Sequence, residues 1–430
     1  MSALTKSLHP DEKVKAGKLG STMMTAGAVI AAAFLIISLW LGASHGDHWK
    51  RFLYAYVSGW AYIASLAIGM LWLVLLHHLT RSRWSTVVRR IAEAMTGAFP
   101  IIWIAGLGFV LPVAFGYTDL YYWAHPDAHN AALNPAIVHK AGWLSPTAWA
   151  LRYVIYGVIY SGMSYYFAKT SRKQDETGDP ALSTQMRVVS GPAMILYAFT
   201  TCLMAMDVLM SMAPTWYSTI YGVVYWGSGE VGAFSALALI VLWIQRNGRL
   251  THSITEEHYH DIGKWIFSFT FFYAYVQFSQ FMLQWYGNMP EETNWWKYRM
   301  FGEWQWVSIA ILACFWAFPF VFLMSRWTKR IVPSLVFFAV WQLVFHWLDM
   351  YWNVMPSYDW TVAQHAGVAV NLGPLRGNIA LHHVGFSPLD ITVWLFLCGV
   401  FLLGTGRGLS GNLIPVKDPT LGLSLAHEQL

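Results

Sequence analysis

Ten runs of predominantly apolar residues, each near or beyond the roughly 20 positions a helix needs to cross the hydrocarbon core of a bilayer, divide this 430-residue chain. They fall near 20–42, 52–79, 87–114, 147–168, 187–212, 218–244, 263–288, 304–325, 331–352 and 386–405. A backbone in lipid must satisfy its own N–H and C=O groups, so runs of this length predict α-helices and an all-α integral membrane protein. The 56% hydrophobic and 11% charged residues are far from soluble-domain usage and agree with that reading. Two packed helical bundles would arrange ten spans economically. The organisation expected is a polar N-terminal segment (1–19), a polytopic domain (20–405) and a C-terminal tail (406–430).

The first apolar run is too long for a signal-peptide core and lacks a small-x-small cleavage site after it, so it reads as a retained helix. An even number of spans puts both ends on one side. With the N-terminus inside, 20 Lys and Arg residues fall on the inner side and 7 on the outer, which predicts cytoplasmic termini. That asymmetry accounts for the formal charge of +5 without nucleic acid. Cys202, Cys314 and Cys398 lie in separate apolar runs, so neither disulfides nor a cysteine-held metal or cluster is expected. On the outer side, 116–146 and 358–388 read as docking loops, and His125 and His129 form only a weak metal pattern in the first of them.

Polar residues inside apolar runs carry most of the functional information. Gln277, Gln280 and Gln284 recur at i, i+3 and i+7, flanked by Tyr273 and Ser279, and therefore line one helix face. Amides facing lipid would leave donors and acceptors unmatched, so this face is expected to turn toward other helices, either to fix packing or to line a wet path.

Ionisable groups within the bilayer are costly unless paired, protonated or wetted, and seven positions raise that question. His77 and His78 end the second run; adjacent residues point about 100° apart, so at most one is expected to face the bundle. Glu93 lies four residues beyond Arg89, as an i, i+4 ion pair or a proton site. Asp207 falls in the outer part of the fifth run. Glu230 sits near the middle of the sixth within Trp226-Gly227-Ser228-Gly229-Glu230-Val231-Gly232, as a proton carrier or a hydrogen-bond anchor. His346 and Asp349, at i, i+3, can share a face as a carboxylate–imidazole relay or a structural pair. By depth these divide into an inner set (His77, His78, Glu93) and a middle-to-outer set (Asp207, Glu230, His346, Asp349). That division suggests two half-paths and argues against one haem held between His77 or His78 and His346.

Several longer motifs carry a family resemblance. The run Glu257-His258-x-His260-Asp261-x-Gly263-Lys264, continuing to Phe278-Ser279-Gln280-Phe281-x-Leu283-x-Trp285-Tyr286-x-Asn288-x-Pro290-Glu291-Glu292-Thr293, resembles the second polytopic membrane subunit of bacterial alternative complex III. So do Trp216-Tyr217-Ser218-Thr219-Ile220-Tyr221-Gly222, Asp349-x-Tyr351-Trp352-x-x-x-Pro356 and Pro415-Val416-Lys417-Asp418-Pro419. The likeness covers nearly the whole chain and extends to the polysulfide-reductase-type membrane subunits, which implies paired four-helix bundles with extra helices. It further implies a subunit without a redox cofactor in the bacterial inner membrane. The complex around it would oxidise quinol and pass electrons through an iron–sulfur subunit and a multihaem cytochrome c to cytochrome c or a terminal oxidase, beside the other polytopic membrane subunit. The buried acids alone suit an alternative, a stand-alone proton-coupled secondary transporter.

Overall fold

The computed structural model describes residues 6–118, 120–124, 135–365 and 384–427. Its main helices are α1 (Leu19–His45), α2 (Lys50–Thr80), α3 (Thr86–Thr96), α4 (Phe99–Ala114), α5 (Pro146–Thr177) and α6 (Ala181–Val208). They continue as α7 (Tyr221–Arg246), α8 (Glu256–Gly287), α9 (Pro290–Met300), α10 (Trp304–Leu323), α11 (Val332–His365) and α12 (Pro388–Gly408). The chain is an all-α polytopic membrane protein, and among the described residues eight helical segments are long and apolar enough to cross a membrane. Each of the ten expected runs is helical. The two outside those eight, α5 and α8, have the length but carry more polar residues.

Proline explains the internal breaks. The run expected as one helix over 87–114 divides into α3 and α4 at Gly97-Ala98, because Pro100 has no N–H for the Thr96 carbonyl. In α10 the stretch Ile311–Ala317 widens to a π-helix just before Pro319. The Cys314 carbonyl in that stretch accepts the Trp341 indole N–H at 2.6 Å.

The helices form two groups. In the first, α2 packs with α3, α4 and α6, and α5 packs with α4 and α6. In the second, α7, α8, α10 and α11 assemble around α7 and α8. Helix α2 also lies against α7, α11 and α12, so the join runs through it, and 89% of its apolar window is buried against 22% for α1.

Helix α1 is held mainly by α12. A Cβ on Gly27 would meet the Leu403 amide at 2.5 Å, and one on Gly399 would meet the Ala31 amide at 2.5 Å. Gly20 and Gly406 repeat the arrangement one heptad away, so the two backbones touch where only glycine fits.

The segment before α1 and the one after α12 pack together on one face, here the terminal face; the opposite one is the loop face. Lys15 bridges to Asn412, and the Ala16 and Leu413 amides bond to Gly411 and Val14 at 2.8 and 2.7 Å. Helix α12 runs through Gly408, and residues 409–427 of the tail then pack against the bundle, with Ser424 Oγ on the Trp84 carbonyl and Asp418 on Arg89.

Candidate functional site

Second-group packing places a continuous polar stripe inside α11. Gln342, His346, Asp349, Asn353 and Ser357 follow at i, i+4, i+7, i+11 and i+15, and all are buried. At the centre, Ser228 Oγ from α7 stands between the expected pair, 2.9 Å from His346 Nδ1 and 2.5 Å from Asp349 Oδ2. Ser65 Oγ from α2 is 2.8 Å from His346 Nε2, and the Tyr273 hydroxyl from α8 donates to Asp349 Oδ1 at 2.7 Å. Toward the loop face, Asn353 Nδ2 donates to the Asp349 carbonyl and the Tyr221 hydroxyl donates to Asn353 Oδ1 at 3.0 Å. Toward the terminal face, Gln342 Nε2 donates to Thr270 Oγ1 at 2.8 Å, while its Oε1 has no partner.

The close approach of α7 depends on its glycines. A Cβ on Gly232 would come 2.6 Å from the His346 ring, and one on Gly229 would come 2.9 Å from Ser65. The π-helix of α10 carries Phe315, whose ring stacks on His346 at 6.2 Å and packs on Tyr273 at 5.0 Å. The constellation is a hydrogen-bonded carboxyl–hydroxyl–imidazole chain in a low-dielectric interior, an arrangement suited to proton relay.

The remaining candidates separate. Glu230 is 0% exposed, accepts the Trp226 indole N–H on Oε1 at 2.6 Å and leaves Oε2 unpartnered beside Gly69. Asp207 is saturated. Arg152 clasps it with two N–H groups at 2.6 and 3.0 Å, Trp143 donates at 2.9 Å and Tyr156 at 2.7 Å.

Glu93 pairs with Arg89 at 3.2 Å, as its spacing predicts, and also with Arg90 at 3.1 Å. Arg89 in turn reaches His77 Nε2 at 2.8 Å and Asp418 of the C-terminal tail at 2.8 Å, and Arg90 reaches Asp175 at 3.1 Å. Contrary to the expectation that at most one of His77 and His78 faces the bundle, both are buried, His77 with its two ring nitrogens 2.8 Å from Ser85 Oγ and from Arg89, while Leu79, one residue on, is exposed. His78 stacks on Phe167. Glu93 and His77 of the inner set are thus joined through Arg89 to Asp418 of the tail. Burial would raise the Asp418 carboxyl, but Arg89 and the Thr420 hydroxyl and amide outweigh it and hold that carboxyl below its ordinary value.

On the glutamine face, two of the three amides hydrogen-bond to other parts of the protein. Gln280 Oε1 accepts from Ser218 at 2.9 Å, and Gln284 Oε1 accepts from the Trp296 indole at 2.6 Å. Gln277 lies at the margin, half-buried, with Oε1 unpartnered.

The sequence reading missed Ser228, Ser65, Gln342 and Asn353. The heptad-like polar stripe in α11 was the available signal for Gln342 and Asn353. It also missed Arg51, which joins Asp390 across the loop face at 2.6 Å. Among the described residues no three His, Cys, Asp or Glu side chains gather as a metal site, and His125 and His129 lie outside those residues. The chain matches no family model, and no curated protein aligns with it significantly.

Proposed function

We propose that this chain is a cofactor-free integral subunit of a bacterial quinol:electron-acceptor oxidoreductase of the alternative complex III kind, supporting assembly and carrying protons coupled to quinol oxidation. The observation that carries the proton role is the buried chain His346–Ser228–Asp349, closed by hydroxyls from α2 and α8. The long motifs around Glu257–Thr293 and Trp216–Gly222 support the assignment to the complex. Quinol oxidation releases protons as well as electrons, so a proton-handling subunit beside that chemistry has a physical purpose.

In this reading the protein resides in the inner membrane with the terminal face cytoplasmic, an orientation supported by the 20-to-7 distribution of Lys and Arg. Its partners are a multihaem cytochrome c, an iron–sulfur subunit, a second polytopic membrane subunit, a terminal oxidase and lipids. Haem c and iron–sulfur clusters reside in those partners, and quinol is the substrate of the complex.

A tag on this chain, gentle detergent extraction, haem spectroscopy and mass spectrometry test the assignment. Co-purifying c-type haem with an iron–sulfur protein supports it. A colourless single component that survives repeated mild extraction overturns it and favours the proton-coupled transporter, a reading to which Glu230, buried among glycines with one oxygen unpartnered, also lends support.

A further inference from the structure

The hydrogen bonds around His346 count protons. Ser65 Oγ donates to the Tyr62 carbonyl at 2.7 Å and lies 2.8 Å from His346 Nε2. A serine has one proton to give, so Nε2 carries its own and donates to Ser65. On the other edge of the ring, Ser228 Oγ lies between His346 Nδ1 and Asp349 Oδ2, within bonding distance of both. Ser228 also has one proton. Whichever neighbour accepts it, the other must donate to Ser228 for both contacts to be hydrogen bonds.

Two arrangements satisfy every group. In one, Asp349 is protonated at Oδ2 and donates to Ser228, which donates to a bare Nδ1 on a neutral imidazole. In the other, Nδ1 is protonated and donates to Ser228, which donates to an ionised Asp349. We infer that His346, Ser228 and Asp349 share a single mobile proton that passes between carboxyl and imidazole through the serine hydroxyl. The passage breaks the Asp349 Oδ2–H and Ser228 Oγ–H bonds and forms a new Ser228 Oγ–H bond and a His346 Nδ1–H bond. No proton enters or leaves during the shift.

Charge balance selects this proton count. Both arrangements are neutral overall; one proton more would bury a net cation, and one fewer a net anion, each costly where water is excluded. The groups facing the site are Tyr62 from α2 with its ring 5.0 Å from the imidazole, Tyr273 from α8, Phe315 from α10, and Asn353 with Tyr221 beyond it. These are uncharged aromatic, phenolic or amide groups; the guanidinium of Arg299 lies beyond them, on the backbone carbonyl of Asn353. Glu230, two residues beyond Ser228, faces Trp226 and Gly69 instead.

The inference deepens the proton-carrying role and rests on it for its physiological use, and its test separates the two. The full chain, carrying ¹⁵N-labelled histidine, is studied in its purified assembly, with the His346 ring signals assigned by His346→Gln. The infrared carbonyl band of a protonated Asp349 is assigned by Asp349→Asn. The wild type is expected to keep Nε2 as N–H and to show Nδ1 between its bare and protonated positions, with a carboxyl band of partial intensity. Ser228→Ala should move Nδ1 to the bare position and raise the carboxyl band to full intensity, and Ser228→Thr should restore the wild-type signals. A bare Nδ1 in the wild type, or signals unchanged in Ser228→Ala, overturns the shared proton. Signals that shift as expected while the proton-to-electron ratio of Ser228→Ala stays at the wild-type value uphold the shared proton and overturn the translocation role.

Discussion

Arg299 Nε donates to the backbone carbonyl of Trp352 at 3.2 Å, and that carbonyl's helical donor position belongs to Pro356, which has no N–H. The same guanidinium bonds to the Asn353 and Trp295 carbonyls and lies over the Trp295 ring at 3.7 Å. A buried cation thus mends a proline-interrupted helix just beyond the relay. Arg299→Met should cost about 1–3 kcal/mol by leaving buried carbonyls unserved, read as a lower Tm in detergent. Pro356→Ala returns an N–H to Trp352, so the double variant should be less destabilised than the sum of the single ones. Strict additivity would count against this account.

Asp207 is the clasp of the first group. Asp207→Ala strands Arg152, whose side chain is 14% exposed, and is expected to cost about 3–5 kcal/mol. Yield and thermal stability should fall, while the folded fraction keeps its proton-to-electron ratio. A changed ratio in stable Asp207→Asn protein would assign this acid a part in proton transfer.

The tail contact through Asp418 has a defined acid limit. Its native value lies below the ordinary 3.8, so the contact's stabilisation is complete above that value and is lost as pH falls through the lowered one. Hydrogen exchange in 409–427 should therefore accelerate below about pH 3.8, and Asp418→Asn should be looser already at neutral pH. Protection of these residues that is unchanged in Asp418→Asn would refute the anchor.

The α1–α12 seam predicts steric intolerance. Gly27→Leu and Gly399→Leu should each separate α1 from the rest, seen as loss of a cysteine crosslink engineered between the two helices, whereas Val29→Ala, at an exposed position, should leave it intact. Equal crosslinking in all three variants would mean the seam does not depend on glycine.

The helices were legible because lipid leaves a long apolar run little choice but a helix, and the breaks at Pro100 and Pro319 were written in the sequence but not weighed. Glu93 with Arg89, and His346 with Asp349, were legible because helical spacing alone puts them side by side. Asp418 on Arg89, Arg152 on Asp207 and Arg51 on Asp390 were not, since each pair meets only through tertiary packing. Ser228 was hidden differently. Its glycine neighbours mark a close helix approach, but nothing local says that His346 is what approaches.

The glycine seam also bears on how the protein is made. Helix α1 is synthesised about 340 residues ahead of its main packing partner, α12 (Leu19–His45 against Pro388–Gly408). At roughly 5–20 residues per second of synthesis, the first helix waits on the order of tens of seconds in the membrane with its glycine stripe against lipid. Closure of the seam between α1 and α12 therefore has to wait until α12 is made.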